Sequence, residues 1–174
     1  MPFVNRLSGK ICIDFLLTML YNRNIHMEGN TMLISTKGRY ALRVMIDLAE
    51  HQTEEFVSLS GIAQRQEISE KYLESIIRIL VKGKILESLR GKGGGYRLRK
   101  PPEQYTVGSI LRLTEESLAP VACLGEGAEA CARMGECRTL PVWQGLDKVI
   151  NEYLDGITIA DLMKNGTAGD DYVI

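Results

Sequence analysis

The sequence predicts a mainly α-helical protein with a small β wing: a winged helix-turn-helix followed by a long C-terminal dimerisation helix. Three observations carry this. Apolar residues recur at helical spacing over successive segments between Thr36 and Leu80, a glycine-rich hairpin signal follows, and a second long apolar stripe begins after Thr139.

The first segment, TKGRYALRVMIDLAEH from Thr36 to His51, places Ala41, Val44, Met45, Leu48 and Ala49 on one helical stripe. Ser58 is positioned to cap a second, short helix carrying Leu59, Ile62 and Ala63. Ser69 is positioned to cap a third with Tyr72, Leu73, Ile76, Ile77 and Leu80 at helical spacing. Two short helices joined by a turn of a few residues make a helix-turn-helix. Then come ILESLR, GKGGG and YRLRK, two extended segments around a tip, with Tyr96 and Leu98 on one face and Arg97 and Arg99 on the other. Gly91, Gly93, Gly94 and Gly95 do not form a nucleotide-phosphate loop, because no GK[ST] ending and no helix pattern follow. They read as a hairpin turn.

Downstream, Thr106 caps an expected helix through Val107, Ile110, Leu111 and Leu113 to about Ser117. Thr139 and Pro141 open a longer helix in which Val142, Trp143, Leu146, Val149, Ile150 and Tyr153 share a face, closed by Gly156. The expected organisation is an N-terminal extension over 1–31, a DNA-binding domain over 32–103, a cysteine-loop and dimerisation region over 104–163, and a flexible tail over 164–174.

Composition excludes several function classes. At 45% hydrophobic and 25% charged over 174 residues, the chain is expected to build a core. The most apolar early stretch, ICIDFLLTMLY, is interrupted by Asp14 and too short to span a bilayer. Asn22, Arg23, Asn24 and His26 follow it where a secretory cleavage site needs small residues. A cytoplasmic protein with no membrane partner is expected. No nucleophile–base arrangement and no paired carboxylates suggest catalysis, so the protein is not expected to be an enzyme.

The net charge of −1 conceals an uneven distribution. Between Arg78 and Lys100 eight basic residues face one acid, Glu87; subtracting these from totals of 21 and 22 leaves 13 basic and 21 acidic residues elsewhere. Such a local excess is expected of a face that binds a polyanion. On the third helix, Glu70, Lys71, Glu74, Ser75 and Arg78 lie off the apolar stripe and are candidates for the major groove. A carboxylate accepts from cytosine N4 and a lysine or arginine donates to guanine, each good pair discriminating by about 1–3 kcal/mol. Glu74 also stands four residues before Arg78, the spacing of a surface ion pair. Arg90 and Lys92 flank the tip, where they could reach a DNA groove, and Arg97 on the wing is a further candidate for contact with DNA. The apolar face after Thr139 calls for a covering partner, either its own domain or a second copy. A two-fold dimer would read a palindromic double-stranded DNA operator with half-sites about one turn apart.

Three of the four cysteines, Cys123, Cys131 and Cys137, fall within CLGEGAEACARMGEC. In a reducing compartment such clustering points to metal or redox chemistry rather than disulfides. Thiolates suit iron–sulfur clusters and zinc. Gaps of seven and five residues, rich in glycine and alanine, favour an iron–sulfur cluster over structural zinc, which uses a pair separated by two to four residues. Another metal, or thiols that act directly as a redox or partner sensor, stay open.

STKGRYALRVMIDLA, ISEKYLESIIRILVKGKILESLRGKGGGYRL, YTVGSIL and the cysteine loop followed by VW resemble, in that order, the iron–sulfur members of the Rrf-two family of bacterial transcription regulators. The resemblance runs from Met32 to about Leu162. It implies a dimeric winged helix whose third helix enters the major groove, with Lys71, Glu74 and Ser75 at base-reading positions. It also implies that Arg90 probes the minor groove and that Cys123, Cys131 and Cys137 hold a cluster, two-iron or four-iron. The sequence departs from the pattern at the fourth ligand: one branch has a histidine where this chain has Leu140, another an aspartate where it has Arg39. Glu126, Glu129, Glu136 and Cys12 are candidates, whereas His26 and His51 read as surface residues. Residues 1–31 have no counterpart in the family, which an upstream start assignment would explain. The expected function is sequence-specific regulation of transcription with DNA affinity controlled by the cluster. Alternatives are a cluster-free regulator acting through thiol oxidation or a protein partner, and an iron–sulfur electron carrier.

Overall fold

A computed structural model describes residues 33–51, 55–129 and 131–165. The N-terminal extension, with Cys12 and His26, and the tail beyond residue 165 lie outside the described residues. Helix α1 (Thr36–His51) forms on the expected stripe, with Ala41, Val44, Met45 and Leu48 fully buried. Helices α2 (Leu59–Gln66) and α3 (Glu70–Lys82) begin at the expected caps: Gly61 N–H donates to Ser58 Oγ at 3.1 Å and Tyr72 N–H to Ser69 Oγ at 3.4 Å. The turn between them passes through Glu67 in the left-handed region (φ 55°, ψ 40°), and Ile68 N–H donates back to the Ala63 carbonyl at 3.1 Å.

Strands β1 (Leu86–Leu89) and β2 (Gly95–Leu98) pair antiparallel, with Leu86 opposite Leu98 and Leu89 opposite Gly95. At the tip, Gly91 (φ 97°) and Gly93 (φ 77°) adopt backbone that side chains resist. A third segment, not expected from the sequence, joins this hairpin: Val57 and Tyr96 exchange backbone hydrogen bonds at 3.0 and 2.8 Å. A side chain on Gly95 would overlap the Val57 carbonyl, so the glycine lets the segment ahead of α2 lie against the wing.

Helices α4 (Val107–Thr114), α5 (Leu140–Asp155) and α6 (Ile159–Asn165) complete the architecture. Thr106 caps α4 as expected, accepting from Ser109 N–H at 3.1 Å. That helix ends at Thr114 instead of near Ser117: Glu115 is already extended (φ −103°, ψ 150°), and the buried Thr114 hydroxyl donates back to the Leu111 carbonyl at 3.2 Å. Helix α6 was not foreseen. Thr158 and Asp161 cap it reciprocally, each backbone N–H donating to the other's side chain at 3.1 Å.

One main core runs through both halves of the chain. Val44, Met45, Leu48, Leu73, Ile76 and Leu86 share it with Tyr105, Ile110 and Ile159. Tyr105 is buried, and its hydroxyl donates to the Ile85 carbonyl at 3.0 Å while accepting from Lys100 N–H at 2.9 Å, fastening the wing base to α4. The buried carboxylate of Asp47 on α1 accepts from Arg65 at 2.9 and 2.7 Å and from Gln66 at 2.9 Å. Burial alone would push its pKa up. The Arg65 and Gln66 hydrogen bonds, with the charge of Arg65, reverse that and hold it below the ordinary carboxylate value. Helix α5, by contrast, contains no buried residue. It faces the rest of the molecule with Asn151 and Leu154, and turns Val142, Leu146, Val149 and Tyr153 outward on the opposite side, 42–67% exposed.

Candidate nucleic-acid interface and thiol segment

Helix α3 buries Leu73, Ile76, Ile77 and Leu80, and this orientation leaves Lys71, Glu74, Ser75 and Arg78 exposed together on the other face. Arg78 and Glu74 form the i, i+4 ion pair at 3.0 Å, with both side chains more than half exposed. The Ser75 hydroxyl donates to the Tyr72 carbonyl at 2.6 Å, which leaves its oxygen free to accept. Arg90 and Lys92 are exposed at the wing tip. A groove of about 240 Å³ separates the two elements and is lined by Glu74, Arg78, Leu89, Arg90 and Tyr96. The fold thus brings α3 and Arg90 to one surface. Arg97 is placed differently: it is half-buried, paired with Glu87 across the hairpin and stacked on Phe56, its guanidinium 4.6 Å from the ring centre.

Tyr72 is 37% exposed and not a core residue. It sits at the start of α3 and meets Tyr40 of α1 edge to face, ring centres 5.9 Å apart, with Arg43 over the Tyr40 ring. Helical spacing places Tyr72 at the margin of the stripe, where periodicity does not separate core from surface. Leu89, half-exposed on the wing, is a second surface residue that the sequence pattern did not single out.

The thiol segment is built unlike the head. Between α4 and α5 the described chain is irregular, with single 3₁₀ turns at Ala122–Leu124 and Met134–Glu136. Cys123, Cys131 and Cys137 are free thiols; Cys131 is exposed and the other two half-exposed. Cys137 ends one turn just ahead of α5. The Thr139 hydroxyl lies 3.5 Å from its sulfur and accepts from Trp143 Nε1 at 3.2 Å, so the hydroxyl proton is available to the sulfur. That hydrogen bond, helped by the Thr139 and Leu140 backbone N–H groups and opposed by partial burial, lowers the Cys137 pKa below the usual thiol value. Three thiols are donors that suit soft metals and iron–sulfur clusters, but the geometry is not assembled: among the described residues, no three His, Cys, Asp or Glu side chains converge as a metal site. Glu126, Glu129 and Glu136 are exposed, Leu140 begins α5, and Arg39 donates to Thr36 Oγ1 on α1. His51 binds its own helix, its Nδ1 2.8 Å from the Asp47 carbonyl oxygen.

Comparison with known proteins decides the family. A model described as "Rrf2: Iron-dependent Transcriptional regulator" matches residues 34–165. The chain belongs to the Rrf2 family. It is 40% identical to Protein rrf2 of Nitratidesulfovibrio vulgaris strain Hildenborough over 136 residues, 78% of this chain and 90% of that protein. Against the HTH-type transcriptional regulator IscR of Aliivibrio salmonicida it is 39% identical over 132 residues, 76% of this chain and 77% of that one. Its fold matches CymR, the global cysteine regulator of B. subtilis, with a TM-score of 0.65 and 35% identity over 78% of this chain and 98% of the other. The chain is a transcriptional regulator of the Rrf2 type, not an enzyme, and its mainly helical winged fold is that of the family. DNA binding comes with membership. No helix among the described residues is long and apolar enough to cross a membrane.

Proposed function

We propose that this Rrf2 regulator binds a palindromic operator as a homodimer, and that an iron–sulfur cluster held by Cys123, Cys131 and Cys137 controls its affinity for DNA. The observation that carries the reading is the meeting of two features in one fold. A basic wing and an exposed α3 face share one surface, and three free thiols sit in the segment that leads into an uncovered apolar helix. Lys71, Glu74, Ser75 and Arg78 would meet base edges, and Arg90 and Lys92 would follow the wing into the adjacent groove. Arg97 supports the wing from behind through Glu87 and Phe56. The outward stripe Val142, Leu146, Val149 and Tyr153 is exposed and would be covered by the same stripe of a second copy across a two-fold axis.

When bound, a cluster would join three points of the segment by covalent bonds that are sensitive to oxidants and to iron supply. The chain does the rest. Cys137 is hydrogen-bonded through Thr139 to Trp143 on α5, so ligation that drew the thiols together would act on the start of that helix. Control requires the two arrangements to differ in DNA affinity. The test is strictly anaerobic purification with iron and acid-labile sulfide assays, combined with selection of duplexes from a random pool. Coloured protein containing both elements and enriching a palindrome supports the reading; colourless protein that stays so after reconstitution removes the cluster from it.

A second reading is favoured by one observation: the thiols stand apart and free, and the cysteine regulator CymR shares the fold. In it the thiols respond directly to oxidants or to a protein partner. Anaerobic protein without iron whose DNA binding changes on mild oxidation would select this alternative.

A further inference from the structure

We infer that Arg112, Asp155 and Asn151 form the joint that sets the angle between α5 and the DNA-reading head, which makes Arg112 and Asp155 positioning residues for the choice of operator spacing. The inference rests on the reading of the protein as a dimer joined through α5.

Helix α5 has no fully buried residue, and its apolar contact with the rest of the chain is slight, so polar contacts carry much of the task of setting its direction. It is fastened near its C-terminal end. Arg112 on α4 grips Asp155 with both arms of its guanidinium, at 2.7 and 2.8 Å, and also donates to Asn151 Oδ1 at 2.7 Å. Asn151 is itself oriented, its Nδ2 donating to the Asp147 carbonyl at 2.9 Å. The Thr106 hydroxyl, which caps α4, reaches the same Asp155 oxygen at 3.4 Å. Gly108, one turn before Arg112, leaves the space that Asp155 occupies, since a Cβ there would overlap Asp155 Oδ1. Leu154 alongside packs on Val107, Leu111 and Leu118. A two-armed pair fixes direction as well as distance. Because Arg112 and Asp155 are 41% and 45% exposed, the pair contributes little to folding, and orientation is the property it supplies.

The joint also adjoins the thiol segment. A hollow of about 150 Å³ is lined by Arg112, Asp147 and Asn151 on one side and by Glu115, Leu124 and Glu126 on the other. Leu124 follows directly on Cys123 and Glu126 stands three residues after it. Rearrangement around that thiol therefore reshapes the wall of a hollow that Arg112 also lines.

The experiment uses the full chain and the palindrome that wild-type protein selects from a random duplex pool, rebuilt with its half-sites moved apart or together by one base pair. Wild-type protein is expected to prefer one spacing by about tenfold or more. Arg112→Ala and Asp155→Asn flatten that preference to less than about threefold, with single half-site affinity and melting temperature unchanged, and Arg112→Lys falls between. Gly108→Ala repeats the loss by crowding Asp155, and the exposed-site variants stand alone if it fails to fold. Wild-type spacing preference in all of the folded variants overturns the joint. Wild-type protein that selects no paired half-sites overturns the dimeric reading beneath it.

Discussion

The DNA-reading head and the thiol segment with its following helix are finished to different degrees. In the head, helix caps are made, Leu73, Ile76 and Leu86 are fully buried, and the buried carboxylate of Asp47 is answered by three hydrogen bonds. In the segment, three thiols are free and the next helix shows an apolar stripe to solvent. Contiguous apolar surface of this kind marks an interaction site. The difference teaches that the head can be understood from its own contacts, whereas the other half leaves thiols and an apolar stripe uncovered, and the proposed cofactor and second copy are what would complete it.

Mutations sharpen the contrast. The largest effect belongs to the head core: Ile76→Ala, at a fully buried site, should cost about 3 kcal/mol in chemical denaturation. Cys131→Ala, at an exposed site, should leave the same denaturation curve unmoved. A large loss from the cysteine variant in metal-free protein would break the comparison.

Asp47→Ala comes next, at about 2 kcal/mol, because it removes the acceptor for Arg65 and Gln66 while Arg65 retains access to water. Its pKa lies below the ordinary 3.8 when folded, with Arg65, Gln66 and His51 around it. The stability it contributes is therefore present above the unfolded value and lost as pH falls through the folded one. Acid titration of Asp47→Asn should show a shallower loss of stability below about pH 4 than wild type. Equal slopes would mean that this carboxylate is not held low.

A smaller effect is expected at the wing. Arg90→Ala should weaken operator binding and reduce the slope of log K against log salt by about 0.9, the share of one phosphate contact. Arg97→Ala should leave that slope closer to wild type, since Arg97 is engaged with Glu87 and Phe56. The reverse order would exchange their roles. The smallest signal is optical. Trp143, the single tryptophan, is bonded to Thr139 beside Cys137, so its fluorescence should shift when the thiols are ligated and not in Thr139→Val.

Much of the head was legible in the sequence because its signals are local. Ser58, Ser69 and Thr106 each stand immediately before an apolar periodic run, and the wing glycines fill a turn that needs positive φ. What was missed depends on residues far apart along the chain. The Val57–Tyr96 pairing, the Asp47–Arg65 tie and the Arg112–Asp155 clamp have no signature within any short window. Asp47 between buried Met45 and Leu48 was the one available hint, a charge set on an apolar stripe. Helix α6 was missed because seven residues span barely two turns and show too little periodicity. At the candidate site, spacing points to the cysteines, but any further ligand is set by how the segment folds, which no short window of sequence specifies.

The central claim is that the state of the thiol segment sets the affinity of the head for DNA. The most direct measurement is the operator affinity of one anaerobic preparation before and after its iron is removed by chelation, made in parallel on Cys131→Ala. The account predicts a change of about tenfold or more in wild type and none in the variant. Equal affinities of iron-loaded and iron-free wild-type protein would contradict it.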